Sequence, residues 1–272
     1  MIKNNPFFSI IIPALNEEKY LPKLLTDLSN QTFKDFEVIV VDGKSTDHTV
    51  SKAKEFAKIL PSLKVIASDI RHVCTQRNLG AKEAQADILI FSDADNRLPP
   101  YFLQGIKYRY ETSLADLMSP YFIPDIKTRQ NETIANAINT FFDLQMSIKP
   151  RFLLESLIIV THKAFNSIKG FDETINYAEG KSFIQNIVAK GYTTKIIKDP
   201  EYTFSFRRLR KYGIINIAGR VAKLELAELL GPEFKQIQQK KLYPMLGGTL
   251  FSKPKKAKNK FLKNIQKILK DF

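Results

Sequence analysis

Short apolar, β-branched runs alternate with segments of helical period through the first hundred residues, and few folds accommodate that alternation. Phe8–Ile12, closed by Pro13, and Phe36–Val41, closed by Asp42-Gly43, read as buried strands. Between them, Glu17–Ser29 places Tyr20, Leu21, Leu24, Leu25 and Leu28 at helical spacing, completing a βαβ unit. A helix over Thr49–Leu60, a strand over Leu63–Ala67, a helix over Arg77–Ala86 and a strand over Ile88–Phe91 continue the pattern. Strands that are apolar on both faces need cover on both, so the expected class is α/β, a doubly wound, mostly parallel sheet with helices on each side.

The pattern then changes. From Leu98 to Lys149 it is mainly helical, followed by a strand at Ser156–Thr161, a turn at Lys169-Gly170-Phe171-Asp172 and a helix near Ser182–Lys190. Ile214–Leu230 reads as an amphipathic helix stopped by Gly231-Pro232. The expected organisation is a domain over 1–212, whose halves are 1–97 and 98–212, and a helical extension over 213–272.

Composition removes several classes. Cys74 is the sole cysteine among 272 residues, which rules out an intrachain disulfide and a cysteine-based zinc cluster and fits a reducing cytoplasm. No apolar run approaches the roughly 18 to 20 residues that span a bilayer, and the N-terminus lacks the pattern of a secretion signal. The net charge of +14 suggests a nucleic-acid partner, but residues 251–272 hold eight lysines against one acid, and no nucleic-acid-binding motif is present. That tail sets Phe261, Leu262, Ile265, Ile268, Leu269 and Phe272 against lysines, the pattern of a peripheral anchor on an anionic membrane surface. Packing on the body of the protein or on another subunit is the alternative. His48, His72 and His162 are too scattered to form a ligand set.

Ligands of doubly wound sheets bind beyond the carboxyl ends of the strands, and acids collect there: Glu17 after the first strand, Asp42 and Asp47 after the second, Asp93 and Asp95 after the fourth. Two carboxylates in Asp93-Ala94-Asp95 are hard oxygen ligands suited to Mg²⁺ or Mn²⁺ against a diphosphate. Ser45-Thr46-Asp47 also reads as the cap of the following helix. No Gly-x-Gly-x-x-Gly turn follows the first strand, which disfavours nicotinamide binding.

Five segments together, Ile12-Pro13-Ala14-Leu15-Asn16-Glu17-Glu18, Val40-Val41-Asp42-Gly43-Lys44-Ser45-Thr46-Asp47, Arg77-Asn78-Leu79-Gly80-Ala81, Phe91-Ser92-Asp93-Ala94-Asp95 and Gly170-Phe171-Asp172-Glu173, resemble the inverting family 2 glycosyltransferases of the GT-A fold. The resemblance covers residues 7 to 192. It implies a nucleotide-sugar-binding half over 1–97 and an acceptor half over 98–212. Pro13, Ala14, Asn16, Glu17, Asp42, Gly43, Ser45, Arg71, Arg77, Asp93 and Ala94 would bind the nucleotide sugar, Ala14, Asn16 and Glu17 at base and ribose, Asp42 at the base, and Arg77 and Arg71 at the diphosphate. Asp95 and Asp93 would hold the metal. The family's base pair falls on Glu179-Gly180, so its second acid is missing. That leaves Glu179 as the candidate base, with Asp172 and Glu173 in reserve. Arg207 and Arg208, in a basic aromatic stretch, are candidate phosphate contacts. The implied partners are a nucleotide-sugar donor, with UDP-sugar favoured by family frequency, and a sugar or lipid-linked acceptor of the cell envelope. The implied location is the cytoplasm, peripheral to its membrane. The second hypothesis, prompted by Gly180, is a binding-only relative; a nucleic-acid-binding protein is the third.

Overall fold

The computed structural model describes residues 5–213 apart from 153, 176 and 177, together with 216, 217, 219 and 223. Its centre is a seven-stranded sheet in the order β3-β2-β1-β4-β6-β5-β7. The strands are β1 (Phe8–Ala14), β2 (Phe36–Asp42), β3 (Leu63–Ala67), β4 (Ile88–Ser92), β5 (Leu117–Pro124), β6 (Leu157–Thr161) and β7 (Thr194–Phe204). The helices are α1 (Leu21–Ser29), α2 (Thr49–Lys54, extended by a 3-10 turn over Glu55–Lys58), α3 (Val73–Glu83), α4 (Phe102–Ser113), α5 (Arg129–Ile148), α6 (His162–Ser167), α7 (Glu179–Ala189) and α8 (Arg207–Tyr212).

β1, β2, β3 and β4 run parallel, whereas β6 is antiparallel to both β4 and β5, and β5 runs parallel to β7. Side chains alternate across each central strand and so feed two cores. Phe8, Ile10 and Ile12 of β1 and Val38 and Val40 of β2 meet Leu21, Leu24, Leu25 and Leu28 of α1 and Phe102, Leu103 and Ile106 of α4. On the other face, Ile11, Ile39 and Val41 meet Cys74 and Ala81 of α3 and Phe183, Ile184 and Ile187 of α7. The doubly wound α/β expectation is therefore met, with helices on both faces.

Gly80 explains how closely α3 lies on the sheet: a Cβ there would sit 2.4 Å from Ile11 Cγ2. Any larger residue pushes the helix away from β1.

Two strands go beyond the sequence expectation: β5 lies in the segment that reads as mainly helical, and β7 in one to which no element is assigned. β5 contains Pro120 and Pro124, which argue against an interior strand. It pairs with β6 only at Leu117 and Met118, and its register against β7 shifts between Pro120 and Phe122, so Pro120 borders an irregularity while Pro124 is the last residue of the strand. β7 carries Pro200 in the residues skipped by that shift. Helix starts also move: α1 begins at Leu21 rather than Glu17, and α3 at Val73 rather than Arg77. Of the Ile214–Leu230 helix, only residues 216, 217, 219 and 223 are described, all helical, and the 251–272 tail lies outside the described residues. Among the described residues no helix is long and apolar enough to cross a membrane.

Candidate active site

The strand order reverses direction around β1 and β4, and such a switch point opens a crevice at the carboxyl ends. Gln76 of α3 fastens the first two strand ends there, its Nε2 donating to the carbonyls of Ala14 (3.0 Å) and Val41 (2.6 Å). Gly43 follows β2 with its N–H on the Ala14 carbonyl (2.8 Å), and a Cβ on it would press on Gln76 at 3.1 Å.

The loops after β1 and β2 are knitted to each other. Asn16, in the left-handed region at φ 55, donates its N–H to Ser45 Oγ (2.8 Å) and accepts the Thr46 N–H on Oδ1 (2.8 Å). Glu17 donates its N–H to Thr49 Oγ1 (2.8 Å). Asp47 accepts the Thr49 N–H (3.0 Å) just before α2, whereas the N-cap position falls on His48, which makes no side-chain cap, so Ser45-Thr46-Asp47 is not the cap that the sequence suggests. Asp42, buried at the end of β2, accepts the Ser45 N–H on Oδ2 (3.0 Å), while its Oδ1 has no partner among the described residues. A buried acceptor left unpaired is costly, and a ligand N–H would relieve it. Arg71 is exposed and donates to the Lys44 carbonyl (2.9 Å). Pro13 and Ala14 end β1, Ala14 buried, and Ala94 is buried between the two aspartates.

Two arginines organise the acids. Arg77 of α3 is the deeper, with 2% of its side chain exposed. Its Nη1 donates to Glu179 Oε1 (2.9 Å), and its Nη2 to Asp93 Oδ1 (3.1 Å) and the Glu155 carbonyl (2.9 Å). The Phe171 ring lies 5.2 Å from the guanidinium carbon. Burial works against the Arg77 charge, but Glu179, Asp93 and Glu155 outweigh it. Arg77 is thus not open to a diphosphate as the resemblance implies: its guanidinium is spent beneath the carboxylates.

Arg207, at the start of α8, closes the other side. It holds Glu17 in a fork (Nη1 to Oε2 3.0 Å, Nη2 to Oε1 2.7 Å), its Nε lies 2.8 Å from Asp95 Oδ2, and its guanidinium covers the Tyr20 ring at 4.6 Å. Thr203 of β7 positions it by exchanging both backbone bonds with Arg97, two residues beyond Asp95 (3.0 and 2.8 Å). Asp125 fixes the helix start by accepting the Phe206 N–H (3.1 Å) and a fork from Arg210 (both 2.7 Å). Arg208 is exposed, and its charge acts to lower the Asp93 pKa.

The carboxylates respond to this crowding. Asp93 keeps 37% of its side chain open to the crevice, yet enough protein surrounds it that burial pushes its pKa up to about 7; Asp95 and Glu179 push the same way and Arg77 opposes. Burial likewise raises Glu17 against the pull of Arg207. Glu155, one residue before Ser156 and β6, is raised well above the carboxylate range, by burial first and then by the charge of Glu179. Its Oε1 accepts the Gly180 N–H (2.8 Å) in the first turn of α7.

The reserve acids serve the loop instead. Glu173 accepts from Thr75 Oγ1 and Asn78 Nδ2 (both 2.8 Å), and Asp172 Oδ1 accepts the Thr174 N–H (2.9 Å) and hydroxyl (2.7 Å). Both are exposed.

Among the described residues, no group of three or more His, Cys, Asp or Glu side chains forms a closed metal site. Asp93 and Asp95 still fit a divalent ion that takes its other ligands from a diphosphate and water, because their donor chemistry is hard oxygen and a guanidinium already lies against Asp95.

Glycosyl transferase family 2 matches residues 9–157, more than half of the chain. The chain belongs to that family. This family 2 member is 42% identical over 94 residues to a PGL/p-HBAD biosynthesis glycosyltransferase of Mycobacterium bovis, which is 34% of this chain and 37% of that protein. It is 37% identical over 93 residues to the poly(ribitol-phosphate) beta-N-acetylglucosaminyltransferase TarS of Staphylococcus aureus, 33% of this chain and 16% of that one. The matches thus span well under half the length of these relatives. Among solved structures, S. aureus TarS in complex with UDP-GlcNAc is similar with a TM-score of 0.57 at 23% identity, over 73% of this chain and 58% of that chain. The mannosyltransferase PcManGT from Pyrobaculum calidifontis, in complex with GDP-Man and Mn²⁺, gives 0.64 at 17% identity over 89% and 70%. Both likenesses show the GT-A glycosyltransferase fold.

Glu155 is the residue that sequence reasoning passed over. A single acid before an apolar strand carries no motif, and its neighbours Arg77 and Gly180 lie 78 and 25 residues away. Arg207 was singled out by its basic stretch, but its partner Glu17 lies 190 residues away.

Proposed function

We propose that this family 2 member transfers a sugar from a nucleoside-diphosphate sugar, UDP-sugar favoured, to a hydroxyl acceptor of a lipid-linked or cell-envelope glycan, with inversion at the sugar carbon. One observation carries the reading: Arg207 bridges Glu17 and Asp95, which brings the loops after β1 and β4 together over the crevice. The partnerless Asp42 Oδ1 offers an acceptor to the N–H of a nucleobase. Relatives in cell-envelope glycan synthesis and similar structures holding UDP-GlcNAc or GDP-Man support the donor class and the acceptor class.

Asp93 and Asp95 would hold Mg²⁺ or Mn²⁺, which when bound neutralises charge developing on the departing diphosphate. Arg77 fixes the direction of Asp93 and Glu179 from below. Arg207 supplies a phosphate-binding fork once it leaves Glu17 and Asp95. In the donor's absence it neutralises both acids. The lysine-rich 251–272 segment supports a peripheral position on an anionic cytoplasmic membrane surface, and co-sedimentation with anionic against neutral vesicles tests that.

The test of the central reading is calorimetric titration with UDP, GDP and their sugar conjugates, first with Mn²⁺ or Mg²⁺ and then with chelator, on wild type and Asp95→Ala. Metal-dependent binding of one nucleotide sugar, lost in the variant, is expected. Failure of every nucleotide to bind would remove the function.

A further inference from the structure

We propose that Glu155 is a catalytic residue of the transfer reaction, its carboxylate removing the proton from the attacking acceptor hydroxyl. This rests on the glycosyltransferase reading above.

The geometry ties Glu155 both to Asp93 and to the start of α7. Its backbone is tied to the metal-side carboxylate: Asp93 donates its N–H to the carbonyl of the next residue, Ser156 (2.8 Å), and the Arg77 Nη2 that reaches Asp93 also reaches the Glu155 carbonyl (2.9 Å). Its side chain crosses to α7, where Oε1 accepts the Gly180 N–H at 2.8 Å. Gly180 carries no side chain, so an acid from β6's approach stands at the first turn of a helix that has none of its own at that position.

Two carboxylates share this corner, and their surroundings divide the work. Glu179 has 9% of its side chain exposed and spends Oε1 on Arg77 at 2.9 Å. That ion pair takes one of its two oxygens. Glu155 interacts directly with Glu179, but its own side chain meets Arg77 only through space and it remains half-buried. Paired carboxylates placed in different environments separate into distinct roles. Here Glu179 is the positioning residue, enclosed and held by Arg77, and Glu155, the more open of the two, is the group that exchanges a proton. Burial and the neighbouring Glu179 raise the proton affinity of Glu155, the direction a general base needs.

The step balances. The acceptor O–H bond breaks and its proton passes to the Glu155 carboxylate. The acceptor oxygen's electron pair forms the bond to the anomeric carbon. The bond from that carbon to the donor's diphosphate oxygen breaks, and the nucleoside diphosphate leaves with that pair.

A purely structural role predicts something different. Ala178 makes no side-chain cap to α7, so Glu155 also caps that helix through Gly180. Glutamine keeps an oxygen for the cap but cannot take the proton, which makes Glu155→Gln the discriminating change. The assay is release of UDP from UDP-GlcNAc, or of GDP from GDP-mannose, by the full chain with Mn²⁺ and water as acceptor, followed over about pH 5 to 9. Nucleotide affinity by calorimetry and the melting temperature are measured on the same preparations. Glu155→Gln is expected to lower turnover about 100-fold or more, within the usual range for general-base loss, with nucleotide affinity unchanged and the acidic limb of the pH profile gone. Partial recovery of Glu155→Ala by added formate would support the assignment even if that variant melts lower. Turnover of Glu155→Gln near wild type would overturn it and leave a cap. So would an equal loss confined to Glu179→Gln, which would make Glu179 the base. If wild type binds either nucleotide sugar and the Glu155 variants turn over as wild type does, this inference alone falls; if wild type binds neither, the glycosyltransferase reading falls first.

Discussion

The two arginine centres use the same chemistry to opposite ends. Arg77 sits on an eleven-residue helix seated tightly on β1, with 2% of its side chain exposed and three oxygen partners. Arg207 begins a helix of six residues, has 15% of its side chain exposed, and clasps acids that the donor half supplies. The first is enclosed by core on α3 and α7 and cannot leave without stranding charges. The second is more exposed and lies against Asp95, where the proposed divalent cation would compete with it. Position relative to the sheet, rather than the number of ion pairs, decides which cation is structural.

The contrast breaks most visibly at Arg77. Arg77→Met leaves Glu179 and Asp93 without their counter-ion, and losing one member of a buried pair costs about 3–5 kcal/mol. Chemical denaturation reads this, and a loss under about 1 kcal/mol would place Arg77 in the same class as a surface pair. Gly80→Ala tests the seat of the same helix. With Ile11 Cγ2 2.4 Å from the added Cβ, α3 must shift, and overpacking of this kind costs about 1–3 kcal/mol by the same measurement.

Arg207→Ala sharpens the comparison from the other side. It should change stability less than Arg77→Met while strengthening binding of Mn²⁺ alone about tenfold, an amount equal to about 1.4 kcal/mol, because the competing guanidinium is gone. Unchanged or weaker Mn²⁺ binding in a nucleotide-free titration would show that the arginine does not occupy the cation's place.

The smallest effect is in pH. Asp93 titrates near 7, raised from 3.8, so the proton competes with metal and Mn²⁺ affinity should rise about threefold between pH 6.5 and 7.5. The stability contribution has the opposite sign: the folded state binds the proton more tightly, so the gain is full below the ordinary aspartate value and is lost as pH rises through about 7. Asp93→Asn should flatten both dependences.

The first four strands were legible because each is a short apolar run, as with Ile39-Val40-Val41-Asp42, fully buried in β2 and β4. Asp42, Asp93 and Asp95 could be placed at the crevice from that alone. β5 and β7 were illegible because Pro120, Pro124 and Pro200 deny the strand pattern; the shift in the β5–β7 ladder accommodates Pro120 and Pro200, and Pro124 closes its strand. Arg77 was legible as an important residue but not as a buried one, since its enclosure depends on Glu155 and Glu179, which arrive from β6's approach and α7. Glu155 depended wholly on tertiary placement. No local pattern distinguishes it from a solvated glutamate.

The join between Glu17 and Arg207 spans 190 residues, yet the long-range closure is already made three residues earlier, where β7 ends at Phe204 beside β5. Loop entropy is therefore borne by the sheet edge, and the arginine completes only a local search. On the ribosome, where chains emerge from the N-terminus at about 5–20 residues per second, β1 to β4 are made well before Thr194–Phe204. During that interval Glu17 and Asp95 are synthesised without the arginine that later neutralises them. The last strand among the described residues to emerge both finishes their sheet and delivers the charge that the earliest loop awaits.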